Sequence, residues 1–117
     1  KTIVIGATTN PERYAYKAVI NLMEMGYEVV PVGIRKGTIA GLKIDNGKPI
    51  EKDVNTVSIY LNPARQVEWY SYILSLKPKR VIFNPGTENP EFKHILNKNN
   101  IETEDACTLV LLSTGAY

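Results

Sequence analysis

The first residues of the chain combine the residue types from which proteins build anion-binding turns. The segment 2–5 is a short, β-branched and apolar run typical of a buried strand, and Gly6 ends it. The polar residues 8–10 are suited to cap a helix, and Pro11 is suited to its first turn. A strand, a glycine turn and a helix N-terminus together direct unpaired N–H groups and a positive dipole end at one space. This segment is therefore predicted to bind a phosphorylated small molecule.

Side chains that perform covalent or acid–base chemistry are few in the rest of the chain. Cys107 is the single cysteine, it has no histidine near it in sequence, and such residues are commonly small buried groups. His94 lies among polar residues of a predicted helix and is expected at the surface. No cluster of cysteines and histidines has the spacing of a metal site. These features favour a protein that binds a ligand without catalysis and without a metal ion.

Two common nucleotide-binding motifs do not occur at the opening turn. The segment Gly6-Ala7-Thr8 carries one glycine where the dinucleotide motif has three. No Gly-Lys-Ser/Thr sequence occurs in the chain, so phosphoryl transfer from a nucleotide is not expected.

Alternating strand and helix patterns run along the chain and position the opening turn. A helix is predicted from Glu12 to Met25, where apolar residues recur every three or four positions, and a strand at 27–32 follows it. Further strands are predicted at 56–61, 80–83 and 101–106, and further helices over 64–76 and from Asn89 onward; residues 107–112 fit a strand extension or a short helix. This alternation predicts an α/β protein with a doubly wound, mainly parallel sheet of about five strands. Ligands bind such sheets at the carboxyl ends of the strands.

One segment departs from this alternation. Short extended runs at 42–44 and 49–51 flank Asn46-Gly47, and Asn-Gly between such runs is the strongest local indication of a hairpin. A small hairpin excursion outside the main sheet is therefore predicted near residues 42–51.

Length and composition limit the classes of protein to which the chain can belong. Its 117 residues are enough for one domain, so residues 1–117 are predicted to form a single domain. A net charge of +2 is too small to predict nucleic-acid binding. One cysteine excludes an internal disulfide and fits a reducing compartment, which predicts a cytoplasmic protein. No apolar run approaches the roughly 20 residues of a membrane span, so no membrane partner is expected.

The order of several short motifs resembles that of one family of small proteins. Ile5-Gly6-Ala7-Thr8 is followed by Asn10-Pro11, by Gly-Tyr-Glu-Val-Val-Pro-Val at 26–32, and by Gly41. This order resembles the CoA-binding-domain proteins, which are single Rossmann-like domains similar to the CoA-binding module of succinyl-CoA synthetase. The resemblance extends over nearly the whole chain through Tyr60, Pro63, Gly86, Asp105 and Cys107.

Six residues, at four places in the chain, differ from the family pattern. Gly33-Ile34 stands where the family has Asn-Pro, and Leu61-Asn62 stands where it has a basic pair. Asn84 replaces a glutamine, and Ala106 replaces an arginine. Several polar contacts that a family member offers to a ligand are therefore altered.

The resemblance implies that coenzyme A is the ligand. Its pyrophosphate suits the amides of Ala7 and Thr8, the Thr8 hydroxyl and Arg13. Its adenine is expected to lie over Val32 and Gly33.

The remaining parts of coenzyme A are expected to contact three other segments. Arg35 and Lys36 are expected to bind the 3′-phosphate through charge-assisted hydrogen bonds, although both also fit solvated loop charges. Tyr60 matches an aromatic position of the family, and Asn84 and Gly86 are expected to line the long arm of the ligand. For Asn84 and Gly86, the alternative is a strand-to-helix turn with a structural role.

Three functions remain open at this point. The first is non-catalytic binding of coenzyme A or an acyl-CoA through its phosphorylated ADP moiety, in a regulatory role or as a subunit of a larger assembly. The second is an NADP-dependent oxidoreductase, in which Arg35 and Lys36 would bind the extra phosphate. The third is a ligand-free scaffold that self-associates, for example as a homodimer. Trp69 and Tyr72 are expected to pack on a helix face, and the alternative is that they form an exposed contact for another subunit.

Overall fold

The computed structural model describes all residues from 1 to 117, and its centre is a five-stranded parallel sheet with helices on both faces. In chain order, the strands are β1 (Thr2–Ile5), β2 (Val29–Val32), β3 (Thr38–Ile39), β4 (Leu42–Lys43), β5 (Thr56–Ile59), β6 (Arg80–Phe83) and β7 (Glu102–Asp105). The helices are α1 (Tyr14–Glu24), α2 (Pro63–Gln66), α3 (Tyr70–Leu76), α4 (Pro90–Lys98) and α5 (Thr108–Thr114), and a 3₁₀ turn at Val67–Trp69 joins α2 to α3. No helix has the length and apolar character needed to cross a membrane.

The strand order in the main sheet is β2-β1-β5-β6-β7, and every neighbouring pair is parallel. The predicted five-stranded, doubly wound α/β fold is therefore confirmed. From β1 the chain first moves to one side, to form β2, and then returns to the other side, to form β5. The strand order thus reverses at β1, and this is the place where open α/β sheets bind their ligands.

Apolar side chains fill both faces of the sheet, as expected for parallel strands with near-continuous apolar sequences. On one face, α1 and α5 pack against β1 and β2 through Val19, Leu22 and Leu112. On the other face, α3 and α4 pack against the central strands through residues such as Ile73 and Phe92. These two layers hold the carboxyl ends of the strands in a fixed arrangement.

The polar strand β7 lies at one edge of the sheet and has a single neighbour, β6. Its acidic residues are therefore compatible with strand pairing, because edge strands tolerate charged side chains that face solvent. Glu104 also forms an ion pair with Arg80 of β6, with 3.5 Å between the charged groups. The predicted strand at 101–106 is confirmed, and residues 108–112 belong to the short helix α5, with Cys107 at its N-cap, instead of extending the strand.

The predicted hairpin is present, but its turn lies elsewhere. β3 and β4 pair in antiparallel fashion around Ala40 and Gly41, whose φ angles of 48° and 85° are both left-handed, as a tight two-residue hairpin requires. Asn46-Gly47 instead lies in a bend, where the side chain of Asp45 accepts a hydrogen bond from the Gly47 N–H at 2.8 Å.

Residues 44 and 45 explain why the Asn-Gly pair does not form the hairpin. Ile44 is fully buried in the core, and Asp45 is hydrogen-bonded to the end of β2, where its N–H donates to the Pro31 carbonyl at 2.9 Å. Since these residues are held against the main sheet, they are not free to pair with residues 49–51. Tertiary contacts outweigh the local turn preference here.

Candidate functional site

A cleft of about 1000 Å³ lies at the carboxyl ends of β1, β2 and β5, where the strand order reverses. Its walls come from three segments, within residues 6–15, 32–35 and 60–69. This volume is at the upper end of the range for small-molecule sites. Most of the predicted site residues line this cleft, namely Gly6, Ala7, Thr8, Arg13, Val32, Gly33, Arg35 and Tyr60.

The floor of the cleft is a tight seam between the loops that follow β1 and β2. The N–H groups of Gly6 and Ala7 both donate to the Val32 carbonyl at 2.9 Å. A Cβ atom on Gly33 would lie 2.2 Å from the Ala7 carbonyl oxygen, so the two backbones can approach this closely because residue 33 has no side chain. The prediction that the Ala7 amide is free for a phosphate is therefore wrong, because Val32 already accepts its hydrogen bond.

The loop before α1 is stabilised by its own polar side chains. The Thr8 hydroxyl accepts a hydrogen bond from the Asn10 N–H at 3.2 Å, and the Asn10 side chain accepts one from the Glu12 N–H at 3.0 Å. These short-range bonds form turns instead of a helix cap, so α1 begins at Tyr14 and not at Glu12 as predicted.

The N-terminus of α1 lies on the cleft and has no side-chain cap. Arg13 occupies the N-cap position, but its side chain makes no capping hydrogen bond, and Tyr14 and Ala15 line the cleft. The first backbone bond of the helix runs from the Lys17 N–H to the Arg13 carbonyl, so the N–H groups of residues 14–16 have no backbone acceptor. Unsatisfied amides at a positive dipole end are the features with which helices bind anions.

Three arginines add positive charge around the cleft. Arg13 and Arg35 line it from two loops and Arg65 from α2, and all three are exposed. None of them forms an ion pair, since the salt bridges of the protein involve Lys1, Arg80 and Lys93. Glu12 and Glu68 also line the cleft, which leaves an excess of one positive charge among these five side chains. Unpaired guanidinium groups can donate paired hydrogen bonds to phosphates.

Arg65 and Trp69 also line the cleft, although neither was predicted from the sequence as a site residue. Their position in the sequence indicates the site, because the predicted helix over 64–76 follows the carboxyl end of a central strand. Residues in its first turns therefore lie above the same sheet edge as Gly6. Tyr72, proposed as part of an exposed contact, is 9% exposed and packs its ring against Trp69.

Three of the predicted site residues do not line the cleft. Lys36 is exposed beyond it, and Gly86 lies in an exposed turn where its N–H donates to the Glu88 side chain at 2.8 Å. Asn84 is 1% exposed, and its side chain is bonded inside the protein. Its amide NH₂ donates to the Ser58 hydroxyl at 2.8 Å and to the Ile59 carbonyl at 3.0 Å. Its oxygen accepts the Thr108 N–H at 2.8 Å, so Asn84 fits the structural alternative.

Tyr60 lines the cleft, and its hydroxyl is buried. That hydroxyl has no hydrogen-bond partner. The nearby hydroxyls of Ser58 and Thr108 bond to each other at 2.8 Å. Burial is the main cause that raises the pKa of Tyr60 to about 12, and the neighbouring hydroxyls oppose this rise only in part. A ligand in the cleft would therefore not contact the Tyr60 hydroxyl.

Replacing Tyr60 by phenylalanine is expected to stabilise the protein. The substitution removes a buried hydroxyl without a partner, which should raise the free energy of unfolding by about 1 kcal/mol and the melting temperature by about 4 °C. The Tyr60 hydroxyl ionises near pH 10 in the unfolded chain and near pH 12 in the folded protein. Because the unfolded state loses this proton first, the free energy of unfolding of the wild type should fall between these two pH values. Tyr60→Phe has no hydroxyl to ionise at this position, so its advantage in stability over the wild type should increase over the same pH interval. A lower melting temperature in the variant would contradict this account.

Comparison with known proteins assigns the chain to a family. A family model described as CoA binding domain matches residues 1–113, so the chain belongs to the CoA binding domain family. Family membership suggests that a member binds CoA. No curated protein matches the sequence.

Three solved structures share the fold of this chain and are matched over 90% or more of their own length. A crystal structure of an uncharacterized protein is 52% identical with a TM-score of 0.97, and the match covers 99% of this chain and 96% of that one. A conserved hypothetical protein from Pyrococcus furiosus is 25% identical with a TM-score of 0.81, covering 97% of both chains. A Thermus thermophilus structure is 24% identical with a TM-score of 0.86, covering 100% of this chain and 90% of that one.

Proposed function

We propose that this chain, acting as a single domain, binds coenzyme A or an acyl-CoA through the phosphorylated ADP moiety and does not transform it. The observation that carries the proposal is the uncapped N-terminus of α1 on a cleft that three unpaired arginines surround. Family membership supports the same ligand.

The residues present fit the chemistry of this ligand. The N–H groups of Thr8 and of the first turn of α1 donate to no other group, so they would hold the pyrophosphate together with Arg13. Arg35, on the loop after β2, would bind the 3′-phosphate. The adenine would lie over the backbone of Val32 and Gly33, which line the cleft.

The side chains that line the cleft support binding without catalysis. They include no cysteine, histidine, lysine or serine, and the two carboxylates among them, Glu12 and Glu68, are both exposed. Cys107 and His94 lie outside the cleft. Binding of this kind suits a regulatory protein or one subunit of a larger assembly. The single unpaired Cys107 is in keeping with a cytoplasmic location.

A thermal-shift panel with coenzyme A, acetyl-CoA, NAD, NADP and AMP tests the proposal. A ligand at about 100 times its dissociation constant should stabilise the fold by about 2.7 kcal/mol. We expect coenzyme A and acetyl-CoA to raise the melting temperature more than the other ligands do. A response to NADP alone would favour the oxidoreductase, and no response to any ligand would favour the self-associating scaffold.

Arg35 and Lys36 form a matched pair for a binding experiment, because they are adjacent and exposed but Arg35 alone lines the cleft. Arg35→Ala should weaken coenzyme A binding about tenfold through the loss of a charge-assisted phosphate contact. Lys36→Ala should change the affinity by less than about twofold, because exposed charges outside a site contribute little. Titration calorimetry at low and high salt measures both effects. Equal losses in the two variants would show that net charge, not a specific contact, determines affinity.

A further inference from the structure

The third wall of the cleft lies on the far side of β1 from Arg35. It consists of Leu61, Arg65, Glu68 and Trp69, from the segment that follows β5. The start of α1 lies between this wall and the loop after β2, because β1 is the strand between β2 and β5. A ligand whose diphosphate is bound at α1 therefore has one end over each side wall.

Hydrogen bonds from two polar side chains hold the beginning of this wall in place. The Asn62 side chain caps α2 by accepting the Arg65 N–H at 3.0 Å. Gln66 is 1% exposed, and its NH₂ group donates to the Leu61 carbonyl at 2.8 Å and to the Thr87 carbonyl at 2.7 Å. Leu61 and Arg65 are thus carried on a rigid backbone.

Trp69 is held from outside the cleft by contacts with two other side chains. The ammonium group of Lys48 lies 5.1 Å from the centre of the indole ring, and it donates to the Glu68 carbonyl at 2.6 Å. The ring of Tyr72 packs edge-on against Trp69 with 5.7 Å between ring centres. Lys48 and Tyr72 do not line the cleft, whereas Trp69 does, so these contacts fix an indole surface that remains available to a ligand.

We infer that this wall contacts the pantetheine arm of coenzyme A and that Trp69 determines specificity for ligands that carry the arm. The inference rests on the proposed function, which places the nucleotide over the loop after β2. A flat, fixed indole suits an extended chain with alternating methylene and amide groups, and the Arg65 guanidinium suits the amide carbonyls. Asn84 and Gly86, the residues predicted for this role, lie outside the cleft.

Titration calorimetry with coenzyme A and with adenosine 3′,5′-bisphosphate, which lacks the arm, tests the inference. Trp69→Leu should lower the affinity for coenzyme A about tenfold and the affinity for the bisphosphate by less than about twofold. Val67→Ala is the matched control, because Val67 belongs to the same 3₁₀ turn but is exposed and does not line the cleft. It should leave both affinities within about twofold of wild type.

Trp69 is the only tryptophan, so wild-type fluorescence provides a second measurement that needs no variant. Coenzyme A should change the emission, and the bisphosphate should not. Equal loss of both affinities in Trp69→Leu, or emission that does not respond to bound coenzyme A, would overturn the inference while leaving the proposed function intact. If wild type binds neither ligand, the proposed function fails, and this inference fails with it.

Discussion

Gly33→Ala is expected to destabilise the protein by about 3 kcal/mol and to weaken coenzyme A binding together with stability. The added methyl group would lie 2.2 Å from the Ala7 carbonyl oxygen, a distance that no relaxed contact reaches. The obstacle is backbone, which cannot rotate away as a flexible side chain can. The loops after β1 and β2 must therefore separate, and this lengthens the hydrogen bonds from Gly6 and Ala7 to Val32.

Urea denaturation of Gly33→Ala and of Gly47→Ala separates this contact from the general effect of replacing glycine. A Cβ on Gly47 would lie 3.5 Å from the Asp45 carboxylate, an ordinary contact, so this control should change stability by less than about 0.5 kcal/mol. If Gly33→Ala has the same free energy of unfolding as the wild type, the two loops can separate without loss of stability, and the role given to Gly33 is wrong.

The fold could be predicted from the sequence because its local patterns and its tertiary packing agree. The runs that form β1, β5 and β6 are buried as their sequences predict. The apolar residues that recur every three or four positions in α1 are buried on one face of that helix. The acidic β7 was the weakest strand in the sequence, and it is tolerated because it lies at an edge.

The differences arise where distant residues determine the local structure. The hairpin turns at Ala40 and Gly41 because Ile44 and Asp45 are held against the core and β2, and no local pattern contains that information. The helix α1 begins at Tyr14 because Thr8 and Asn10 bond to nearby amides, although the same residue types are also good helix caps.

The site residues that directly follow a strand could be predicted from the sequence. The orientation of side chains whose partners lie on distant segments could not. Gly6, Gly33 and Arg35 follow strands that the sequence indicated, so their convergence follows from parallel pairing. Whether an amide side chain near a strand end faces a ligand or the core depends on its partners. For Asn84 these partners are Ser58 and Thr108, which lie 26 and 24 residues away.

Asn84→Leu provides the experiment that distinguishes these two roles. If Asn84 is structural, the substitution leaves the Thr108 N–H buried without an acceptor and removes the donor to Ser58. Stability should then fall by about 2–4 kcal/mol in urea denaturation. The coenzyme A affinity of the folded fraction, measured by calorimetry below the unfolding transition, should remain within about twofold of wild type because Asn84 does not line the cleft.

Asn97→Leu is the matched control for this substitution. Asn97 is exposed on α4, and its oxygen accepts one hydrogen bond from the Thr103 hydroxyl at 3.2 Å. The control should change stability by less than about 0.5 kcal/mol, because solvent can replace that bond. The opposite pattern in Asn84→Leu, with stability retained and affinity lost, would place Asn84 against the ligand arm. It would equally remove Trp69 from that role, because the arm would then extend toward β6 instead of along the segment after β5.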